Sequence, residues 1–493
     1  MKKKHTALTI SLIIFACLAV LALLCWLWPA SGVRVGNLEL KWPTLSEVLG
    51  TPNDTLVADA DTLEIDMLSD TIESVPAPIA LSEPQPEPEQ EQKSEQEQKP
   101  EPKPKPQRAE QQIITIDTTG FEKSVTSLTH LAAALQQADS VPVRVVYYGD
   151  SQIEGDRMTM SVRRALQKAY GGGGVGLLPL HQTVSSRTVI QTLKLSDIAQ
   201  STGSGPRRYM AFGPKSARRD SKVYGPMAQC AVMDDSLQHG SERALWTAYA
   251  QKKKNTESYF NRVRVLAAPT IAVSVHNAQK IGAGLYSLKD SSTAVTVSLN
   301  GKGDVYGICL ETNHGITVDN VPMRGCAGTI FTSINPKELR DYYRLTNTRL
   351  IILQYSGNVV PYTKTTKQVN SYIERVRAQI RFLKKLAPET DFVFVGPSDM
   401  VDKSGTDVHT HPAVPAMDAS LAKMCAEEGV LYYSLFHAMG GSGAMQAWKT
   451  RGWAGSDLVH FTRQGADKAG DMLALWLIDR LKMDDQQLPA NNQ

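Results

Sequence analysis

The chain carries the three side chains of a nucleophilic acyl-transfer site. Ser151 follows an apolar, β-rich run that ends at Gly149, and a helix-like stretch comes directly after it. Asp457 and His460 lie three residues apart near the C-terminus. A hydroxyl, an imidazole and a carboxylate can act as nucleophile, general base and orienting group. If these side chains meet in space, we expect Ser151 to attack an ester carbonyl.

The oxyanion formed in such a reaction needs hydrogen-bond donors, and the sequence offers three of them at predicted strand ends. They are the backbone N–H groups of Ser151 and Gly325 and the side-chain amide of Asn358. Losing one donor of this kind typically costs about 3 kcal/mol in the transition state. We therefore predict an oxyanion hole made of Ser151, Gly325 and Asn358.

The elements that must position these groups alternate between short apolar strands and helices. Strand-like runs cover residues 143–148, 316–318, 350–355, 392–395 and 430–433. Helical spacing covers residues 127–138, 157–169, 369–386, 416–428 and 463–483. Helices that separate short apolar strands predict an α/β fold with a parallel sheet covered on both faces. In open sheets of this kind, functional groups collect at the carboxyl ends of the strands.

Residues from about 175 to 317 have a different sequence pattern. Helix signals are few, and strand-like runs occur at residues 263–266, 270–275, 293–299 and 305–310. Asn300 and Gly301 are predicted to form a hairpin turn between two of these strands. The pattern predicts a β-rich module inserted into the catalytic domain.

The N-terminus predicts a membrane anchor. A basic tip precedes residues 6–28, which are uncharged, mostly apolar and about long enough to cross a bilayer. The positive flank predicts a cytoplasmic N-terminus with the rest of the chain outside. The apolar run is long for a signal peptide, and its possible cleavage sites are poor, so we favour an uncleaved anchor in the inner membrane. The catalytic domain would then be periplasmic or otherwise extracytoplasmic.

A linker is predicted between the anchor and the folded part. Residues 82–112 consist mainly of Pro, Glu, Gln and Lys and are expected to be disordered. At about 3 Å per residue this segment would reach on the order of 90 Å. The predicted organisation is a tip and anchor at 1–31, a linker at 32–112, a catalytic domain at 113–182 and 318–486, an inserted module at 183–317, and a tail at 487–493.

Several other chemistries are disfavoured by the sequence. The net charge of +3 is too small to predict a nucleic-acid partner. The run from Gly171 to Gly174 lacks the Gly-Lys-Ser/Thr that a nucleotide-binding loop needs. His409 and His411 have no companion ligands that would suggest a metal site. Cys326 is interpreted as a small buried filler rather than a thiol nucleophile, and the sequence leaves the pairing of the cysteines open.

Four blocks of residues resemble the SGNH hydrolases, also called GDSL esterases. The blocks are Gly149-Asp150-Ser151, a glycine after the second sheet strand, Gly357-Asn358, and Asp457-Leu458-Val459-His460. The resemblance covers roughly residues 140–182 and 318–485. It implies a flavodoxin-like, three-layer α/β fold that needs no cofactor and no metal. Gly325, five residues after Asn320, matches the family's spacing for the second block, and Gly328 is the alternative.

The β-rich module between the first two blocks is similar in its position to that of the peptidoglycan O-acetylesterases. This resemblance implies a jelly-roll-like, carbohydrate-binding module and an acetylated glycan as substrate, most simply the acetyl ester on the 6-hydroxyl of N-acetylmuramic acid. Alternatives are an O-acetyltransferase, a deacetylase of another polysaccharide, and a catalytically silent glycan-binding protein. A lipase is less favoured because no amphipathic lid is evident.

Overall fold

The computed structural model describes residues 33–35, 38–40, 127–195, 206–233, 243–252, 255–402 and 408–485. It divides into two compact units, Met1–Pro104 and Lys105–Gln493. The predicted anchor, most of the predicted linker and the predicted tail lie outside the described residues. Within the described residues, no helix is both long and apolar enough to span a membrane. In the first unit, β1 (Val33–Val35) pairs antiparallel with β2 (Leu38–Leu40).

The second unit contains alternating and all-β stretches. Its strands are β3 (Val143–Gly149), β4 (Gly176–Leu178), β5 (Val189–Leu195), β6 (Arg207–Met210), β7 (Gln229–Met233), β8 (Arg243–Ala250), β9 (Phe260–Ala267), β10 (Ile271–Val275), β11 (Ala278–Gly282), β12 (Leu285–Ser292), β13 (Ala294–Gly301), β14 (Gly303–Glu311), β15 (Ile316–Pro322), β16 (Thr348–Gln354), β17 (Asp391–Val395), β18 (Val401–Asp402), β19 (His409–Thr410) and β20 (Leu431–Tyr433). Its helices are α1 (Thr129–Leu135), α2 (Arg157–Tyr170), α3 (Pro336–Leu345), α4 (Thr366–Leu386), α5 (Ala413–Glu427), α6 (Leu435–Met439), α7 (Ala444–Thr450) and α8 (Arg463–Asp485).

A parallel sheet with the order β15-β3-β16-β17-β20 forms the centre of the part of the second unit that alternates strands and helices, here called the α/β part. Counted along the chain, these strands run second, first, third, fourth and fifth, which is the flavodoxin-like order. The side chains of β3 alternate between two hydrophobic clusters, with Val146 and Tyr148 in one and Val145 and Tyr147 in the other. Helices α3, α4 and α5 contribute to the first cluster and α1, α2 and α8 to the second. The predicted three-layer α/β arrangement is therefore present.

Antiparallel sheets occupy the stretch between the first and second strands of the parallel sheet. One sheet has the order β10-β13-β8-β5, and the other has the order β11-β12-β9-β14-β7-β6 with β4 also paired to β14. Strand β13 buries Val295, Val297 and Leu299 at every second position. These side chains share one hydrophobic cluster with residues of both sheets. The boundaries at 182 and 317 and the jelly-roll-like description stay predictions.

The hairpin predicted at Asn300 and Gly301 is wrong. Strands β13 and β14 flank this turn but belong to different sheets, because β13 pairs with β10 and β8 while β14 pairs with β9, β7 and β4. A Cβ atom on Gly301 would lie 2.5 Å from the carbonyl oxygen of Thr270. The glycine therefore allows a close crossing from one sheet to the other, and the residue types typical of a hairpin serve that crossing instead.

A buried ion cluster joins the antiparallel sheets to the parallel sheet. Arg144 of β3 donates to the carboxylate of Asp319 in β15 at 2.5 Å and also contacts Glu311 at the end of β14. Arg264 of β9 donates to Glu311 at 3.0 Å. The backbone N–H of Leu177 in β4 donates to Asp319 at 2.9 Å. All four charged side chains are buried, so each depends on its partners for the hydrogen bonds that water would otherwise supply.

The first and last described residues of the α/β part lie side by side. The backbone N–H of Leu128, just before α1, donates to a carboxylate oxygen of Asp484 in the last turn of α8 at 2.7 Å. Helices α1 and α8 also contribute side chains to the same hydrophobic cluster. The chain therefore enters and leaves this part at one place.

Replacing Arg144 with methionine should strongly destabilise the fold, because the substitution leaves Asp319 and Glu311 buried without their shared cation. Breaking a buried ion pair on one side typically costs about 3–5 kcal/mol. The free energy of unfolding in urea measures this loss. Arg349→Met is the matched control, since Arg349 pairs with a largely exposed Glu389 and such pairs contribute at most about 1 kcal/mol. Equal stability of the two variants would contradict the role given to Arg144.

Candidate active site

Three neighbouring strands end at the same level and bring three turns together. In the parallel register, Pro322 of β15 and Gln354 of β16 both pair with Gly149, the last residue of β3. The backbone N–H of Met323 then donates to Gly149 at 2.7 Å, and that of Asp150 donates to Gln354 at 3.2 Å. The segments that follow these strands therefore meet at one edge of the sheet, as expected for a functional site in an α/β fold.

The structure brings Ser151, His460 and Asp457 together. The Ser151 Oγ atom lies 2.9 Å from Nε2 of His460. The Nδ1 atom of the same imidazole lies 2.7 Å from Oδ2 of Asp457. The side chains of His460 and Asp457 are 39 % and 26 % exposed, so solvent reaches the imidazole. The three residues predicted from the sequence thus form a continuous hydrogen-bonded chain.

The turn that carries Asp457 fixes the tautomer of the imidazole. The Oδ1 atom of Asp457 accepts the backbone N–H groups of Val459 at 3.1 Å and His460 at 3.0 Å. Burial acts to raise the pKa of Asp457, but the hydrogen bonds from the side chain and backbone of His460 and from Val459 outweigh it and lower this pKa to about 2. Because the carboxylate is ionised at neutral pH, Nδ1 of His460 carries the proton and Nε2 accepts from the Ser151 hydroxyl.

Gly325 lies in a tight turn after β15 and keeps its N–H group unused. The N–H of Cys326 donates to the carbonyl of Met323 at 3.0 Å, and Gly325 has φ 75° at the third position of this turn, as a type II turn requires. Within the described part of the chain, neither the N–H of Gly325 nor that of Ser151 donates a hydrogen bond. Both groups are therefore available to a ligand.

Gly328, the alternative to Gly325, packs closely against its neighbours and already uses its N–H group. Its N–H donates to Sγ of Cys326 at 3.3 Å. A Cβ atom at this position would lie 2.5 Å from the ring of Tyr355. The geometry therefore favours Gly325 for the predicted oxyanion position.

Asn358 ties the three turns to one another. Its side-chain nitrogen donates to Oδ2 of Asp150 at 3.2 Å and to the carbonyl of Cys326 at 3.2 Å. The turn that holds it is closed by the N–H of Val359, which donates to Ser356 at 2.9 Å. Ser356 has φ 92°, a strained value for a residue with a side chain, and such strain often accompanies functional sites. An oxyanion near Asn358 would compete with the Cys326 carbonyl for an amide proton.

Asp150 is a positioning residue to which the sequence analysis gave no role. It is 3 % exposed, and its oxygens accept the backbone N–H of Gln152 at 2.9 Å and the amide of Asn358. Burial raises the pKa of Asp150 to about 6, although the Gln152 hydrogen bond and the nearby His460 act to lower it. Its place between Gly149 and Ser151 in the first block was the only sequence signal of this role.

Gln152 joins the serine turn to the histidine turn. Its side-chain amide donates to the carbonyl of Val459 at 2.9 Å, and the side chain is 8 % exposed. This contact spans more than three hundred residues of sequence and helps to hold Ser151 opposite His460. Sequence pattern alone could not separate this role from that of a helix-start residue.

The features that suggested other chemistries have structural explanations. The Cys326 thiol is buried, which raises its pKa to about 12, so it is not a nucleophile at neutral pH. The four cysteines that the structure describes are all free and buried.

In the run from Gly171 to Gly174, a Cβ atom on Gly172 would lie 2.4 Å from the backbone of Ile316, so these glycines permit close packing. His409 belongs to β19, which pairs with β18. Among the described residues, no group of three or more His, Cys, Asp or Glu is placed to share a metal ion.

Comparison with known proteins finds a solved structure that shares the fold of this chain. No protein-family model and no curated protein matches the chain. A solved structure described as a peptidoglycan O-acetylesterase is 19 % identical, with a TM-score of 0.57 over 73 % of this chain and 98 % of that chain. A family two carbohydrate esterase from Cellvibrio japonicus is 10 % identical, with a TM-score of 0.25 over 60 % of this chain and 99 % of its own. This second likeness is too distant to carry a conclusion. The first shows that this chain shares its fold with that protein.

The two glycines should respond differently to alanine. Gly328→Ala would bring the new methyl carbon to 2.5 Å from the Tyr355 ring. This clash should cost about 1–3 kcal/mol for overpacking, in addition to backbone strain. Gly325→Ala meets nothing within 4 Å and should cost about 1 kcal/mol for its left-handed backbone. Urea unfolding of the two variants provides the measurement. A Gly325 variant that is the less stable of the two would contradict this assignment.

Substituting Asp150 with asparagine should lower kcat most at high pH. One Asp150 oxygen accepts the Gln152 N–H, and the other accepts the Asn358 amide. Protonation of this carboxyl, or its replacement by an amide, turns one acceptor into a donor, so one of these two hydrogen bonds is lost. Because the raised pKa of Asp150 is about 6, the wild-type carboxyl is ionised at pH 8 and mostly protonated at pH 5. The variant should therefore be about tenfold slower at pH 8, and the gap should narrow toward pH 5.

The kcat ratio of wild type to variant across pH 5–8 checks this prediction. Asp139→Asn removes an exposed carboxylate and serves as the control. A ratio that stays constant across the range would show that the titration of Asp150 does not affect the site.

Proposed function

We propose that this chain is an SGNH-type serine esterase that removes O-acetyl groups from a cell-wall glycan, most simply peptidoglycan. The observation that carries the proposal is the hydrogen-bonded chain Ser151–His460–Asp457, which lies beside the unused N–H groups of Ser151 and Gly325. A nucleophile, a base, an orienting carboxylate and oxyanion donors are the parts that acyl transfer requires.

The reaction would proceed in two steps. Ser151 Oγ attacks the acetyl carbonyl carbon while Nε2 of His460 takes the hydroxyl proton, and the imidazolium is stabilised by Asp457. The proton then passes to the sugar oxygen, the C–O ester bond breaks, and acetyl-Ser151 remains. In the second step His460 takes a proton from water, which attacks the acetyl group and releases acetate and free Ser151.

The oxyanion of each tetrahedral intermediate would accept the N–H groups of Ser151 and Gly325. The Asn358 amide would add a third donor by turning one proton from the Cys326 carbonyl to the oxyanion. Such donors act strongly because they are held in place before the charge develops. Asp150 would assist by fixing the other proton of the Asn358 amide.

The substrate class is supported by the fold relationship. The solved structure with a TM-score of 0.57 is described as a peptidoglycan O-acetylesterase. The match covers 73 % of this chain, a span too long for the two parallel-sheet segments alone, so part of the antiparallel stretch is included. We propose that the antiparallel sheets form the predicted jelly-roll-like module and contribute to glycan binding.

The location proposed for the enzyme rests on the sequence alone. We propose that residues 6–28 anchor the chain in the inner membrane and that the catalytic part works outside the cytoplasm. The acidic and Pro-rich linker would hold it within reach of the wall. Acetylated glycan and the lipid bilayer are the partners that this arrangement implies.

Hydrolysis is favoured over the transfer of acetyl to another sugar. The His460 side chain is 39 % exposed, so water can reach the atom that would activate it. A transferase must keep water from the acyl-enzyme. Incubation with acetylated donor and free acceptor sugar distinguishes the two activities by the ratio of acetate to acetylated acceptor.

Ser151→Ala should fold normally and lose esterase activity. Removal of the nucleophile of a triad typically lowers kcat by about 10⁶-fold, so hydrolysis of 4-nitrophenyl acetate should fall to near background. Ser140→Ala, which removes an exposed hydroxyl on the same domain, is the matched control. Labelling by a fluorophosphonate probe should disappear in the Ser151 variant and persist in the control.

Two outcomes would overturn the proposal. One is nitrophenyl acetate hydrolysis that persists in the purified Ser151→Ala protein. The other is wild-type protein that neither reacts with the probe nor releases acetate from any acetylated glycan, which would favour the catalytically silent, glycan-binding alternative.

A further inference from the structure

The turn that follows the nucleophile ends at a buried aspartate, Asp156. The N–H of Glu154 donates to the carbonyl of Ser151 at 3.3 Å. The N–H of Asp156 then donates to the carbonyl of Ile153 at 3.2 Å. Asp156 has φ 64°, an uncommon value for a residue with a side chain, which the surroundings must maintain. Because these short turns are linked, a shift at Asp156 is expected to reach Ser151.

Asp156 does not cap the helix that it precedes. An aspartate directly before a helix commonly accepts backbone N–H groups of the first turn, but the Asp156 side chain makes no such bond to α2. Its Oδ2 atom accepts instead from Nη1 of Arg163 at 2.5 Å and from the hydroxyl of Thr188 at 2.6 Å. All three side chains are buried. Helix capping therefore does not explain this aspartate.

Arg163 connects the carboxylate of Asp156 to the strand of the second candidate oxyanion donor. Its Nε atom donates to the carbonyl of Val318 in β15 at 2.8 Å, and β15 leads to the turn of Gly325. A buried guanidinium is stable only while a carboxylate faces it. Asp156 thus contacts the support of Gly325 and also ends the turn of Ser151.

Thr188 connects the same carboxylate to the antiparallel sheets. It directly precedes β5, every residue of which pairs with β8. The N–H of Gln251, just after β8, donates to the carbonyl of Thr188 at 2.9 Å. The backbone of two strands therefore fixes Thr188, and its hydroxyl carries their position to Asp156.

The backbone before Thr188 contacts the nucleophile turn as well. The N–H of Arg187 donates to the carbonyl of Gly155 at 3.0 Å. A Cβ atom on Gly155 would lie 2.9 Å from the carbonyl oxygen of Ser185, so the two backbones approach closely. The guanidinium of Arg187 donates to Asp467 of α8 at 2.6 and 2.9 Å. Residues 185–188 thus lie against the nucleophile turn and are attached both to α8 and to the antiparallel sheets.

We propose that Asp156 is a positioning residue for the nucleophile and that the antiparallel sheets act on catalysis through its hydrogen bond with Thr188. This inference rests on the esterase activity proposed above. It gives the antiparallel sheets a second task besides glycan binding, which is to help hold Ser151 Oγ against Nε2 of His460 whatever ester is bound. A displacement of about 1 Å can lower a rate by about 10²-fold, because the reacting atoms must be aligned.

Thr188→Val tests the proposal with little disturbance of the fold. Valine keeps the shape of threonine and leaves Asp156 paired with Arg163, but it removes the hydroxyl. With 4-nitrophenyl acetate, which has no sugar for the sheets to bind, kcat should fall at least about tenfold while KM changes less than about twofold. The rate of labelling of Ser151 by a fluorophosphonate probe should fall as well, because it depends on the same nucleophile.

Two further variants separate positioning from general stability. Thr188→Ser keeps the hydroxyl and should restore most of the wild-type kcat. Thr390→Val is the matched control, because the Thr390 hydroxyl is also buried and donates to the carbonyl of Thr348 at 2.9 Å, at the opposite ends of the parallel strands from Ser151. This control should be less stable in urea and keep the wild-type kcat. Titration with the probe to completion counts the reactive serines, so that kcat refers to folded enzyme in every variant.

The outcomes separate this inference from the proposed function. A wild-type kcat in Thr188→Val, a loss confined to KM, or an equal loss of kcat in Thr390→Val would overturn the positioning role while leaving the esterase intact. Wild-type protein that neither hydrolyses nitrophenyl acetate nor reacts with the probe would overturn the esterase, and this inference with it.

Discussion

The level ends of three parallel strands are the constraint on which the site depends. Because Pro322 and Gln354 are both in register with Gly149, the turns that follow β3, β15 and β16 begin at the same level of the sheet. Main-chain hydrogen bonds of 2.7 and 3.2 Å cross these ends, and Asn358 links the turns through Asp150 and the Cys326 carbonyl. A shift of one strand by a single residue would separate these groups and turn its side chains to the other face.

The antiparallel sheets are joined to this arrangement through charge as well as apolar packing. Asp319 lies in β15, the strand that leads to the turn of Gly325, and Arg144 lies in β3, the strand that leads to Ser151. Glu311 completes the cluster from β14. The same two strands therefore carry the attachment of the antiparallel sheets at one level and the candidate catalytic groups at their ends. A mutation in the cluster is expected to reach the site through backbone displacement of these strands.

Periodicity and motif spacing were enough to predict the parallel sheet and to select Ser151, Asp457 and His460, because those signals are local. The sequence analysis missed α3, although its cap Asn335 and Pro336 at the first helical position are recognisable start signals. The hairpin error arose because turn residues do not specify which sheet the next strand joins. The surroundings of Asp150 and the buried ion cluster around Arg144 depend on segments distant in sequence, so no local pattern could reveal them.

The adjacency of Leu128 and Asp484 bears on how the order of the elements in the α/β part could be changed. The described residues of this part therefore begin and end at one place, because the Leu128 N–H donates to the Asp484 carboxylate. This contact satisfies the geometric requirement for circular permutation of this part, since a short bridge could join Asp484 to Leu128 while new ends open in an exposed loop.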